Sequence, residues 1–290
     1  MCGIIGTYRG NTEIIKDVIS LLRHRGPDDN GFFLDSSSGI ALGHQRLSII
    51  DTSPLGHQPM ISNDGQVVIV FNGEIYNYQS LRENLAKDGC KFLGNSDTEV
   101  LLNLYLSEGK AMLSKLNGIF AFAIWDNRSK LLFVARDALG VKPLYYCLGD
   151  SIFSFSSEIK ALLEFIPKDK ELNVESIHRY LSFLWCPGQG TPLKSVHKLL
   201  PGEAIIVKDG EIKEKWAWYQ LPIFRGVKGD LTKKDAISGT VDHLRQAVHR
   251  QMVSDVPLGA FLSGGVDSSA VVALMSKYTS KLNTTLQRLQ

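Results

Sequence analysis

The sequence predicts a mixed α+β fold, and three observations carry that reading. Over the first two hundred or so residues, short β-type runs alternate with helical stretches in no regular βαβ order. Consecutive strands are joined by turn dipeptides such as Asp126-Asn127 and Gly149-Asp150, which argues for antiparallel pairing. Two antiparallel sheets faced by helices satisfy both. After about residue 230 the order changes to helix, buried strand, small-residue loop and helix, as in an α/β unit.

The elements follow in order. Strands are expected over 3–8, 40–46, 66–72, 119–125, 131–136, 144–147 and 152–156. Helices are expected over 11–23, 76–88, 97–108 and 174–182. A further hairpin pairs 204–208 with 212–216 through the turn Asp209-Gly210. Residues 221–232 read as a linker between a domain at 1–220 and another at 233–290. Beyond it, Ile237, Val241, Leu244, Val248 and Met252 share a helix face expected to pack as core. Pro257 ends that helix, 258–262 reads as a buried strand and 268–278 as the next helix.

The bulk numbers exclude several classes. A net charge of +2 over 290 residues offers no basic field for nucleic acid or an anionic membrane. Partners are therefore expected to be small molecules or other protein chains. An apolar fraction of 44% is ordinary for a globular chain, and the longest apolar run, Ile119 to Trp125, is too short to span a bilayer. No secretory signal opens the chain, since Arg9 and Gly10 interrupt its apolar start. Cys2, Cys90, Cys147 and Cys186 are widely spaced and form no metal-ligand pattern, so a reduced, cytoplasmic setting is expected and no metal site.

Cys2 is the most informative residue. Removal of Met1 would leave a thiol and a free α-amine on one residue, a nucleophile carrying its own base. A free thiol has a pKa of about 8.5 and an α-amine roughly 7.7 to 8.0, so the amine is a suitable proton acceptor. On position alone a small residue opening a buried strand is the commoner meaning. The motifs that follow reverse the balance: 24-HRGPDDNG-31, 43-GHQRLSIID-51, 71-FNGEIYN-77 and 96-SDTE-99. With Cys2-Gly3-Ile4 they resemble, in order, the glutaminase domain of the N-terminal-nucleophile (class II) glutamine amidotransferases. Farther on, 262-LSGGVDSS-269 resembles the ATP-pyrophosphatase loop of glutamine-hydrolysing asparagine synthetases.

The resemblance implies a four-layer αββα sandwich of the N-terminal-nucleophile type, followed by the first β-loop-α unit of an α/β ATP-pyrophosphatase domain. It also implies roles. Cys2 attacks the glutamine side-chain amide, and Asn72 and Gly73, expected at a strand end, form the oxyanion hole; as a bare dipeptide they read equally as a hairpin turn. Arg46 grips the substrate carboxylate with the backbone of Leu47, Ser48, Ile49 and Ile50 alongside. Glu74 and Asp97 receive the ammonium, although Ser96-Asp97-Thr98-Glu99 also begins a helix and Asp97 could be a cap. Arg25-Gly26-Pro27-Asp28 resembles the mobile loop over bound glutamine, which surface-turn chemistry explains equally well. The stretches 136–146 and 156–162 read mainly as scaffold, with Arg136 and Asp137 as a buried ion pair; the alternative is that their charges line an ammonia route or a domain interface.

In the second part, a strand feeding Leu262, Ser263, Gly264 and Gly265 into a helix aims backbone N–H groups at phosphate oxygens. Ser268 joins that cradle, and Asp267 could act through a bound metal ion. The ending is not Gly-Lys-Ser/Thr, so this is not a Walker A loop. The resemblance implies glutamine, aspartate and ATP with Mg2+ as reactants, no cofactor for glutamine hydrolysis, and room for a homodimer. About sixty residues follow the linker, against at least ~100 for a normal α/β domain, and the tail 281–290 lacks the apolar strand a doubly wound sheet needs next. A truncated chain is therefore expected, with glutaminase activity and an unsupported synthetase half. The alternatives are an amidotransferase for another adenylated acceptor and an inactive or regulatory fragment.

Overall fold

The computed structural model describes residues 1–166, 170–223 and 231–279, and the backbone of 283–286. The chain forms two compact units, Met1–Leu221 and Pro222–Gln290. Most of the expected linker, residues 224–230, and the tail residues 281–282 and 287–290 lie outside the described residues.

The first unit runs β1 (Gly3–Tyr8), α1 (Ile15–Val18) tightening into a 3-10 segment (Ile19–Arg25), β2 (Asp29–Asp35), β3 (Ile40–Arg46), β4 (Met60–Ile61) and β5 (Val67–Ile75). It continues with α2 (Tyr78–Lys87), α3 (Asp97–Glu108), β6 (Gly118–Asp126), β7 (Leu131–Arg136), β8 (Tyr145–Gly149), β9 (Ile152–Ser156), α4 (Ile159–Leu162) and α5 (Val174–Phe183). Three strands close it: β10 (Val196–Lys198), β11 (Glu203–Lys208) and β12 (Glu211–Ala217). They make two six-stranded sheets, ordered β10-β8-β9-β1-β3-β2 and β12-β11-β7-β6-β5-β4, and every strand pair in them is antiparallel.

Strand alternation builds the layers. In β1, Ile4 joins the core between the sheets with Leu42, Val68, Val70, Ala123, Trp125, Val134 and Phe155. Its neighbour Ile5 points the other way, onto Ile15, Val18, Ile19 and Leu22, which recur at helical spacing. On the far side Tyr105 of α3 stacks on Phe133 of β7 with ring centroids 6.0 Å apart. Helix, sheet, sheet, helix is the sandwich expected from the resemblance. Each fully buried large apolar side chain contributes about 1.5–3 kcal/mol to holding these layers.

Several boundaries differ from expectation. Only Ile15–Val18 of the helix expected over 11–23 is α-helical; residues 11–14 are irregular or turn, and from Ile19 the chain tightens to 3-10 geometry against β3. The strand β2 is not among the expected elements; as an edge strand it leaves Phe32 and Leu34 exposed, so it lacks the buried alternation that marks β1. The strands β4 and β10 are too short to carry a pattern. Asn72 and Gly73 are not a turn and not a strand end: β5 continues to Ile75, paired with β6 throughout.

The second unit holds α6 (Lys233–Arg250), β13 (Gly259–Leu262), α7 (Val266–Met275) and β14 (Asn283–Leu286). The Thr232 hydroxyl caps α6 by accepting the Asp235 N–H at 3.2 Å. On α6 the stripe expected to be core is largely exposed at Ile237, Val241 and Leu244 and buried only at Val248, because the described elements cover one end of that face. The tail does supply a strand, contrary to expectation: β14 pairs in parallel with β13, from Gly259 opposite Asn283 to Leu262 opposite Leu286. Its β-branched Thr284 and Thr285 favour extended backbone, a signal that a search for apolar residues misses.

Candidate active site

A cavity of about 130 Å³ opens in the first unit beside Cys2. Cys2, Arg46, Leu47, Ile49, Ile50, Asn72, Gly73, Glu74 and Asp97 line it together with Gln58 and Lys142. It lies where the start of β1, the end of β3, the second half of β5 and the N-terminus of α3 meet. Ser48 is the one residue of the expected set outside the wall; its N–H is held at 2.9 Å by the Asp28 carboxylate.

Cys2 is fixed from three sides. Its carbonyl accepts the Arg25 Nε–H at 2.9 Å, and Arg25 in turn pairs with Glu158 at 3.0 Å. The sulfur accepts the Leu47 N–H at 3.3 Å. A β-carbon on Gly3 would lie 2.9 Å from Leu22 Cβ, so glycine lets the 3-10 segment press against the strand carrying the thiol. Burial raises the thiol pKa, opposed by the Leu47 N–H and by the neighbouring amine. In the unprocessed chain that amine sits on Met1, one residue ahead of its place after processing; burial lowers its pKa, which favours the neutral base. In this arrangement Arg25 and Asp28 are hydrogen-bonded parts of the wall's support, the Asp28 N–H donating to the Arg46 carbonyl at 3.0 Å.

Asn72 is fully buried, and neither its amide nitrogen nor its amide oxygen has a hydrogen-bond partner among the described residues. Burying an amide unpaired costs about 1–3 kcal/mol, so the site holds a donor at a standing expense to stability. A β-carbon at Gly73 would collide with the Ile119 carbonyl on β6, which excludes larger residues from this strand crossing. Beneath β5, buried His44 donates through Nε2 to the Phe71 carbonyl at 3.0 Å, and burial drops its pKa to about 3, so it stays neutral.

Arg46 is committed to backbone: its guanidinium donates to the carbonyls of Ser53 (3.2 Å), Ile50 (3.4 Å) and Asp51. Three bonds leave part of its five-donor fork for a ligand. They also make Arg46 the frame of the 50–53 loop. Gly56 packs so close that a β-carbon there would strike the guanidinium.

Asp97 is not the cap of α3. Ser96 is, its hydroxyl accepting the Glu99 N–H at 3.2 Å, while Glu99 reaches back to the N–H groups of Leu93 and Gly94. The Asp97 carboxylate instead accepts the Ile75 N–H at the end of β5 at 3.0 Å. Burial pushes its pKa up to about 7, the nearby Glu74 adding to the effect against the backbone donors; burial also raises Glu74. Below about pH 7 Asp97 is then neutral and must lose a proton to pair with an ammonium. The glutamine Kd of a Cys2→Ala variant should therefore weaken several-fold as pH falls from 8 to 6, as calorimetry can read, and Asp97→Asn should bind weakly with that dependence gone.

Arg136 and Asp137 do not pair with each other. Arg136 donates to the carbonyls of Lys142, Gly140 and Leu199, and Asp137 accepts the N–H groups of Phe120, Leu139, Val141 and Lys142. They staple the loop that delivers Lys142. Lys142 and Gln58 are the site residues that sequence reasoning missed. A lysine inside the apolar run Gly140 to Leu144 was a readable signal; Gln58, which holds Phe71 N–H at 2.7 Å and Thr98 Oγ1 at 3.1 Å, gave none.

In the second unit Ser263 and Ser268 hydroxyls meet at 2.9 Å, and Gly264 takes a positive φ of 82° that turns the chain into α7. Gly265 occupies the N-cap without a side-chain bond, leaving the first N–H groups of α7 uncapped by any side chain. Leu262 ends β13, and Asp267 lies in the first turn of α7.

Residues 1–219 match the glutamine amidotransferase domain, and residues 240–287 match asparagine synthase. The chain belongs to the glutamine amidotransferase domain family. Asparagine synthetase (glutamine-hydrolyzing) 1 of Bacillus subtilis is 39% identical over 98% of this chain and 45% of its own length. Amidase chry2 of Gibberella zeae is 37% identical over 93% of this chain and 40% of its own length. The chain thus spans about half the length of the curated relatives it matches. Among solved structures, the glutamine phosphoribosylpyrophosphate amidotransferase of B. subtilis superposes with a TM-score of 0.56 at 19% identity, covering 98% of this amidotransferase chain and 65% of that one. That likeness concerns the fold.

Proposed function

We propose that residues 1–220 form a glutaminase in which Cys2 is the nucleophile, followed by a linker at 221–232 and part of an asparagine synthetase domain at 233–290. The observation that carries it is the buried, unpartnered Asn72 amide in the same small cavity as the Cys2 thiol. After loss of Met1, the α-amine takes the thiol proton and the thiolate attacks the glutamine amide carbon. Negative charge collects on the amide oxygen, where Asn72 and Gly73 would donate. The proton passes to the leaving nitrogen, ammonia departs, and water cleaves the γ-glutamyl thioester to glutamate and free thiol. Arg46 with the 47–50 backbone would bind the substrate carboxylate, and Asp97 and Glu74 its ammonium.

The second unit is read as the ATP-binding start of the synthetase, with Leu262, Ser263, Gly264, Gly265, Asp267 and Ser268 around the phosphates and aspartate as the acceptor. A cytoplasmic enzyme fits, and among the described residues no helix is long and apolar enough to cross a membrane. Among those residues, too, no group of three or more His, Cys, Asp and Glu could hold a metal ion. A second reading is the same hydrolysis serving another adenylated acceptor, since a relative of similar identity, amidase chry2, is named for a different activity. Incubation with glutamine alone tests the first half: ammonia and glutamate should appear in equal amounts, and their absence would favour a binding or regulatory fragment. Adding ATP, Mg2+ and aspartate tests the acceptor through asparagine and pyrophosphate.

A further inference from the structure

Lys142 carries a charge that the mechanism above leaves unused. Its backbone is gripped at both ends, the N–H by Asp137 Oδ2 at 3.0 Å and the carbonyl by Arg136 Nε at 2.7 Å. Both clamps extend from β7 and its end, and Asp137 also anchors β6 through the Phe120 N–H at 3.2 Å. The residue is 7% exposed and lines the cavity with Cys2 and Glu74, yet among the described residues it forms no ion pair within 4.0 Å. A buried ammonium without a close counter-charge is costly to fold, and so large a set of backbone bonds aims it at one place.

We infer that Lys142 is an electrostatic positioning residue that biases Cys2 toward its thiolate. The assignment rests on Cys2 being the nucleophile of the proposed glutaminase. The groups facing the thiol divide by sign. The terminal amine and Lys142 act on the thiol as cations and Asp97 of α3 as an anion once it has lost its proton, while Arg25 and Asp28 act on the amine and Glu74 of β5 and Asp137 on Lys142. Burial opposes charge on both groups; against it, Lys142 favours the charged sulfur, and the thiolate favours the ammonium in return. Arg25 is already paired with Glu158, so its field at the sulfur is partly cancelled. Lys142 forms no such pair within 4.0 Å among the described residues, and shares its field between Glu74 and the sulfur of the same cavity.

The test is alkylation of Cys2 by iodoacetamide as a function of pH, read on the N-terminal peptide by mass spectrometry for material equally processed at Met1. Lys142→Met and Lys142→Gln should move the midpoint up by about one pH unit, lowering the rate near pH 7 roughly ten-fold, and Lys142→Arg should restore it. A slower reaction at every pH with an unmoved midpoint would mark Lys142 as packing only and overturn the inference. Failure of both neutral variants to fold, with the arginine variant folded, would assign its charge to the fold and overturn it equally. The readout needs no glutamine turnover. A chain inert toward glutamine but showing the shift would sink the proposed function alone, and an active chain without the shift would sink this inference alone.

Discussion

Cys2→Ala should abolish glutamine hydrolysis, by on the order of 10⁴-fold or more, while leaving the fold and the thermal midpoint essentially unchanged. The thiol's only described bonds are to Leu47, at 3.3 Å from its N–H and 3.6 Å to its carbonyl, so its removal disturbs little packing. What disappears is the attacking atom itself, and the α-amine left on alanine has no nucleophile to serve. Glutamine should still bind, because Arg46, Asp97 and the 47–50 backbone remain. Residual turnover within ten-fold of the parent would point to a different nucleophile.

Asn72→Ala separates catalysis from stability. An oxyanion donor acts in the transition state, so kcat should fall roughly 100-fold or more with little change in KM. Stability should hold or rise, since the substitution removes two buried polar atoms that have no partner among the described residues, offsetting the small cavity it leaves. A kcat within a few-fold of the parent, with a lowered thermal midpoint, would make Asn72 a structural residue. Steady-state kinetics and a thermal melt of the same preparation decide it.

Much of the first unit is legible in the sequence, for identifiable reasons. The α3 bounds follow from Ser96 as cap and Glu99 reaching back, and β1, β3, β7 and β9 from apolar runs closed by turns. What escaped was decided by partners distant in sequence. The dipeptide Asn72-Gly73 spells a hairpin locally, yet β6 pairs across it and makes it mid-strand. Arg136 and Asp137 look like an ion pair because they are adjacent, whereas each spends its charge on loop backbone. Helical spacing correctly put Ile237, Val241 and Leu244 on one face of α6, but spacing says nothing about whether that face is covered. At the site, motif residues were found by resemblance, while Lys142 and Gln58 enter only because the loops at 137–142 and 57–59 fold back onto β1 and β5.

The claim on which the rest depends is that the thiol and a free α-amine act together on residue 2. Active protein mixed with glutamine, quenched in acid within a turnover and analysed by peptide mass spectrometry examines it directly. The account predicts an N-terminal peptide beginning at Cys2, a fraction of it heavier by one γ-glutamyl group that is lost on treatment with hydroxylamine. Protein that releases ammonia at full rate with Met1 still attached, or with the γ-glutamyl group on another residue, would contradict it.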